Sequence, residues 1–345
     1  MSRNRFFISR SETKRDFLSS PTRCSTKIVT QKEELDIKIK NTGESHRFKL
    51  CTYHELPDWQ KDNDFIINGY IFETNNFLHC IQTLFIFNNE SVNIFTHLIP
   101  GTLLPLSLLM IVPYLLTHSN FIKYIPPFII YLPMFDTTSN VDHAIFALFT
   151  LGFMSCLSCS AIFHTLKIHS KWVAAMGSKL DYAGIILLIA TSIIGIIHYS
   201  FIDEEIARLT FISTTSIIGM LALCITWHPK FGTSEWRSIR TVTFILFSFS
   251  GLVPIIYGVN KFGIVESVDR GGLKFVGLEG LSYLTGAGLY ARRFPESLSP
   301  GSFDMIGHSH QIFHILVVFG AWFHFKALVH AYLYAMQVTL GGQVL

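Results

Sequence analysis

From residue 93 onward the chain is built of long apolar runs separated by short polar and basic stretches. A bilayer crossing takes roughly 20 apolar residues at about 1.5 Å of rise each. On that measure seven runs read as spanning helices: 93–116, 142–165, 180–201, 205–227, 239–259, 275–290 and 310–336. The sixth is the least apolar. It is short, holds Glu279, and is rich in glycine (Gly277, Gly280, Gly286, Gly288), a composition that lets helices approach closely. Pro105, Pro113 and Pro254 are expected to kink their helices, which a membrane tolerates where neighbours satisfy the freed carbonyls. Ahead of the first span, Phe77, Leu78, Ile81, Leu84 and Phe85 recur at helical spacing over a stretch too short to cross, the pattern of a helix lying in the interface. The expected architecture is therefore an all-α integral membrane protein, a seven-helix bundle preceded by an interfacial helix. It divides into a disordered tail over 1–55, an aqueous segment with the interfacial helix over 56–92, and a membrane domain over 93–340.

Composition agrees. Half of the 345 residues are apolar and 15% are charged, against about a quarter charged in ordinary soluble domains. The first 50 residues alone carry 12 Lys/Arg and 6 Asp/Glu without hydrophobic periodicity, the signature of a tail that does not pack. With seven spans, one side of the membrane collects this basic tail, Lys167, Lys171 and Lys179, then Lys230, Arg237 and Arg240, then Arg292 and Arg293. The other side carries Lys123, the Asp203-Glu204-Glu205 run and a mixed loop around Arg270. Basic loops stay cytoplasmic, so the N-terminus is expected in the cytoplasm and the C-terminus outside or in a lumen, the reverse of a G-protein-coupled receptor. A net charge of +3 with no basic stripe excludes nucleic acid as a partner. Cys156 and Cys159 form a CxxC with no second pair at zinc-knuckle spacing, so they read as small packing residues.

Ionisable groups inside membrane helices are costly and mark function by default. His310 and His314 lie four apart at the start of the last span, on one helix face, a spacing at which two imidazoles can share a metal. His164 ends the second span and Asp181 opens the third after a short loop, and the topology places all four groups at the cytoplasmic edge. A hydrogen-bonded packing role for an isolated histidine pair is the competing reading.

Several blocks of residues resemble the progestin and adipoQ receptor family, which includes the adiponectin receptors, the haemolysin-III-related proteins and the fungal Izh-type membrane proteins. They are Leu56-Pro57-Asp58-Trp59-Gln60-Lys61-Asp62-Asn63, Asn89 through Leu98, Ser160 through His164, Lys179 through Ile185, and Gly307 through His314. The likeness covers roughly Glu55 to His330; Ile71, after Gly69-Tyr70, departs from the arginine that members often carry. The resemblance implies a zinc ion on His164, His310 and His314. It further implies Asp181 reaching the metal through a water, with Ser160 one turn before the first ligand supporting it as the second catalytic group. His97 is expected to pack or hydrogen-bond. His308 competes with His310 as a ligand but lacks a partner one turn on, and His198, His324 and His330 lie too deep or at the far end.

Two functions follow from that resemblance. One is a zinc-dependent, ceramidase-like amidohydrolase acting on a membrane lipid. The other is a signalling receptor with a purely structural zinc, answering an extracellular protein ligand and serving lipid and zinc homeostasis. Zinc transport is a weaker third, because transport sites lie near the midplane. The endoplasmic reticulum and the plasma membrane are both compatible addresses.

Overall fold

The structure is a computed structural model that describes residues 49–102 and 139–339. Among these residues every regular element is helical, apart from one antiparallel bridge between Cys51 and Tyr70. The elements are α1 (Phe77–Gln82), α2 (helical over 91–102), α3 (Asn140–Leu166), α4 (Lys171–Ser200), α5 (Glu205–Thr226), α6 (Arg237–Phe249), α7 (Leu252–Phe262), α8 (Ile264–Arg270), α9 (Leu273–Arg292) and α10 (Ser309–Thr339).

Among the described residues five segments are long and apolar enough to cross a membrane: α3, α4, α5, the run Ser238–Phe262 and α10. The expected sixth span forms α9, which falls short of that hydropathy. The expected first span begins as α2, and its remainder, with Pro105, Pro113 and Lys123, lies outside the described residues. Residues on α5 to α7 such as Ile206, Leu209, Met220, Leu246 and Ile256 point away from the rest of the protein. An apolar surface of that extent belongs in lipid, and the chain is a multi-pass integral membrane protein.

The fifth expected span is two helices instead of one. The ladder breaks at Ser250-Gly251, where the Gly251 N–H turns back to Ser248 O and the Val253 N–H to Ser250 O. Pro254 supplies the cause, since it has no N–H to continue the bonding to residue 250.

The ends of the long helices are written locally. Ser139 caps α3 by accepting from the Asp142 N–H while the Asp142 carboxylate accepts from the Ser139 N–H, a reciprocal capping box. Ser170 accepts from the Val173 N–H to start α4. Between them the chain reverses over four residues, so α3 and α4 pack antiparallel. Gly184 allows the closest approach of this pair: a Cβ there would lie 2.8 Å from the Cys156 Cα. The core lies among α3, α4 and α10, around Phe146, Phe149, Leu157, Leu188, Leu328 and Tyr332. Against α10, α9 uses only one of the glycines singled out in the sequence. Gly286 packs on Phe313 and Leu316, whereas a Cβ at Gly277, Gly280 or Gly288 would meet nothing within 4 Å.

A polar cap closes the end of the bundle from which α10 starts. Its backbone order reaches back to Cys51, ahead of the boundary drawn after residue 55, because Cys51 and Tyr70 exchange both backbone hydrogen bonds. Asp304 accepts from the Ile67 and Asn68 N–H groups, and buried Glu296 accepts from Asn63 and from Ser309 at the head of α10. These bonds hold segment 51–90 against the segment leading into α10. Within it α1 leaves Phe77, Leu78 and Ile81 exposed, and Phe85 and Phe87 follow suit, an outward apolar face suited to an interface.

Candidate metal centre

Two helices deliver three imidazoles to one point beneath this cap. His164 comes from the last turn of α3, and His310 and His314 from the first two turns of α10. One ring nitrogen from each lies within 4.8 Å of the others, and the His310 and His164 Nε2 atoms are 3.2 Å apart. His164 and His314 are buried. The i,i+4 spacing of the α10 pair is what sets both rings on one face.

The hydrogen bonds behind the rings decide what their front nitrogens can do. The His164 Nδ1 donates to a Glu90 carboxylate oxygen at 2.8 Å, and the His314 Nδ1 donates to the Asn93 carbonyl at 3.0 Å. With those protons on Nδ1, both Nε2 atoms are bare lone pairs. Two bare imidazole nitrogens in a buried site, with His310 Nε2 beside them, form a donor set that a cation can share. Two nitrogens about 2.0–2.1 Å from a tetrahedral ion stand roughly 3.3 Å apart, close to the 3.2 Å between His164 and His310. The donor set and its geometry fit a metal ion, and the His164–His310–His314 cluster can hold one.

Glu90 is the residue that sequence reasoning passed over. One carboxylate oxygen accepts from His164 and from the Asn93 side chain at 2.8 Å, the other from Lys167 Nζ at 2.6 Å. Burial works against its charge, but Lys167 and then His164 outweigh that and hold the carboxyl well below the usual range. A fixed carboxylate behind a ligating imidazole orients the ring and raises its basicity. The signal was present in the Asn89-Glu90-Ser91 block: an acid directly before a membrane helix.

The other sequence candidates divide cleanly. Asp181 is buried on α4 with the Ser160 hydroxyl of α3 as its hydrogen-bonding neighbour, and both line the same cavity as His310 and His314. His97 stacks on His314 with ring centroids 3.9 Å apart and approaches the His314 carbonyl through Nε2, so it packs as expected. His308 turns away to the Asn89 carbonyl and stays outside the cluster. Cys156 and Cys159 are free thiols in the helix packing. His330 approaches Asp269 at the opposite end of α10, and His324, midway, pairs with Glu279.

The cavity, of about 320 Å³, runs from Asp181 and His310 past Ile189, Phe244 and Leu284 to Phe201 and Arg270 at the other end. Its walls are mostly aliphatic and aromatic, and it reaches the histidine cluster at His310 and His314.

A multi-helix membrane bundle with a buried histidine cluster at one edge thus defines the class of protein. The haemolysin-III-related family model matches residues 85–325, and the chain belongs to that family. It is 39% identical to the ADIPOR-like receptor IZH2 of Saccharomyces cerevisiae over 284 residues, covering 82% of this chain and 84% of that one. It is 33% identical to the Adiponectin receptor protein of Drosophila melanogaster over 292 residues, covering 85% of this chain and 62% of that one. It is also 33% identical to Heptahelical transmembrane protein 3 of Arabidopsis thaliana over 310 residues, covering 84% of this chain and 90% of that one.

Proposed function

We propose that this protein is an adiponectin receptor-like, seven-span membrane protein with a cytoplasmic N-terminus, a zinc ion on His164, His310 and His314, and a zinc-dependent lipid amide hydrolase activity. The observation that carries the reading is the joining of the histidine cluster and the buried Asp181–Ser160 pair to an apolar cavity. Three nitrogen ligands leave a fourth position open, the arrangement of catalytic rather than structural zinc. When bound, zinc supplies Lewis-acid chemistry, acidifying a water and polarising a carbonyl oxygen. The residues do the rest. Glu90 and the Asn93 carbonyl fix the two imidazoles in the ligating tautomer. Asp181 accepts the proton of the attacking water as general base, and Ser160 aims its carboxylate. The apolar walls take the hydrocarbon of a ceramide-like lipid and keep bulk water from the amide.

A second reading keeps the zinc structural and the protein a signalling receptor in lipid and zinc homeostasis, in the endoplasmic reticulum or the plasma membrane. It is favoured by the names of the yeast and fly relatives, both called receptors. Ceramide turnover by the purified, zinc-loaded protein separates the two. Release of fatty acid by wild type and none by Asp181→Ala supports the hydrolase, and no release by wild type supports the receptor. For the topology, a C-terminal tag accessible from the cytoplasmic side of sealed vesicles overturns the seven-span orientation.

A further inference from the structure

A second polar layer lies inside the membrane part of the cavity, remote from the metal cluster. Glu279 and His324 form a pair across α9 and α10, with His324 Nδ1 2.8 Å from a Glu279 carboxylate oxygen. Their side chains are only 12% and 2% exposed. Three further atoms have no hydrogen-bond partner among the described residues: His324 Nε2, the Tyr283 hydroxyl and the Ser192 hydroxyl. All four side chains line the cavity. Unpaired buried polar atoms carry a desolvation cost, and in a native structure they call for a partner.

Helix counting sets His324, Ser192 and Glu279 at one depth, with Tyr283 one turn nearer the histidine cluster. His324 is ten residues beyond His314 on α10, Ser192 is eleven beyond Asp181 on α4, and Glu279 is eleven before Tyr290, whose ring packs on His310. Each interval is about 15 Å of helix. Tyr283 sits one turn from Glu279, and its ring fills the notch at Gly320, one turn before His324, where a Cβ would lie 2.4 Å from the ring. The pair and the tyrosine are therefore a built arrangement: small residue and histidine on one helix, acid and tyrosine on the other.

We propose that Ser192, Glu279, Tyr283 and His324 form a subsite for a hydroxyl group carried midway along the chain of the bound lipid. The proposal rests on the lipid reading of the cavity given above. A hydroxyl is the group that fits, because it can donate to a bare His324 Nε2 or accept from a protonated one, and can do either with Tyr283 and Ser192. The Glu279 carboxylate repels an anionic group. A span of about 15 Å corresponds to roughly a dozen methylenes of an extended chain measured from the metal cluster. That is chain length, beyond the reach of any headgroup.

Ricinoleate and oleate differ only by a mid-chain hydroxyl and serve as probes, with binding to the purified full chain measured by competition against a labelled fatty acid. Wild type is expected to bind ricinoleate about five- to tenfold more tightly than oleate, the effect of one or two net hydrogen bonds. Tyr283→Phe keeps the ring over Gly320 and is expected to lower that ratio; His324→Leu is expected to bring it near one. Should the leucine variant fail to fold, Tyr283→Phe alone carries the test. Asp181→Asn is expected to keep the full preference, so loss of hydrolysis and loss of this subsite are read separately. Equal binding of the two probes by wild type, or a preference unchanged in Tyr283→Phe, overturns the subsite alone, leaving the layer to water. Binding of neither probe overturns the lipid reading with it.

Discussion

Glu90 and His164, 74 residues apart in the chain, meet at 2.8 Å behind the histidine cluster. The carboxylate fixes the proton on Nδ1 and so leaves Nε2 free to bind a cation. Replacing Glu90 with Gln keeps the size but removes the charge that makes the ring a good donor. Zinc affinity is expected to fall by about 10- to 100-fold, measured by competition with a chelating dye. Unchanged affinity in Glu90→Gln would mean that the ring is oriented by its packing alone.

Ligand and base are separable by substitution. The double change His310→Ala/His314→Ala removes two of three nitrogen donors and is expected to abolish stoichiometric zinc in elemental analysis. Asp181→Asn is expected to keep about one zinc per chain while lipid hydrolysis falls by roughly 100- to 10,000-fold, the usual cost of losing a general base. An asparagine variant with zinc and full turnover removes Asp181 from the chemistry.

The contact of α3 with α4 fixes the distance between Ser160 and Asp181. Gly184 lies one turn from Asp181, and a methyl group there would press on the Cys156 backbone. Gly184→Ala is expected to cost about 1–3 kcal/mol, seen as a lower Tm. Gly288→Ala, where nothing lies within 4 Å, is the contrast and is expected to stabilise by up to about 1 kcal/mol through helix propensity. Equal melting temperatures for the two variants would refute the packing argument.

At the opposite end of the bundle Arg270 donates two hydrogen bonds to the Asp203 carboxylate, at 2.7 and 2.8 Å, and holds its pKa below the usual carboxylate value. Glu266 shares the same guanidinium, and Lys261 pairs with neighbouring Glu204. A depressed carboxyl contributes stability that is fully present above its unfolded pKa of about 4 and is lost as the pH falls through the folded value. Melts recorded from about pH 6 downward are expected to show wild type losing its margin over Asp203→Asn below about pH 4. A constant margin across that range would place no linkage at this pair.

The sequence made the apolar segments, the His310–His314 face and the nearness of His164 to Asp181 legible, because composition, helical period and a short loop each act over a few residues. The membership of the family was legible in the same blocks. Glu90 and the Glu279–His324 pair were not, since both depend on how separate helices are rotated about their axes, and a uniformly apolar helix has no periodicity that reports its rotation. The break at Ser250-Gly251 was half legible: Pro254 announced a disturbance, but whether a kink or two helices resulted depended on the turn before it. Of the α9 glycines, only contact with α10 distinguishes Gly286 from the rest.

The corner Asn89–Asn93 joins what lies in water to what lies in the membrane. The Asn89 carbonyl accepts from His308 and Gln311, the Glu90 carboxylate from His164, and the Asn93 carbonyl from His314, each within 3.4 Å. The same strand of chain is pinned through residues 63–68 to Glu296 and Asp304. A displacement of the aqueous cap is therefore transmitted to the imidazoles through short, stiff links, with no helix required to slide. The cap works as a lever on the His164–His310–His314 cluster: whatever grips it shifts the three donor nitrogens that a metal ion would share, and an ion bridging them would in turn stiffen the cap.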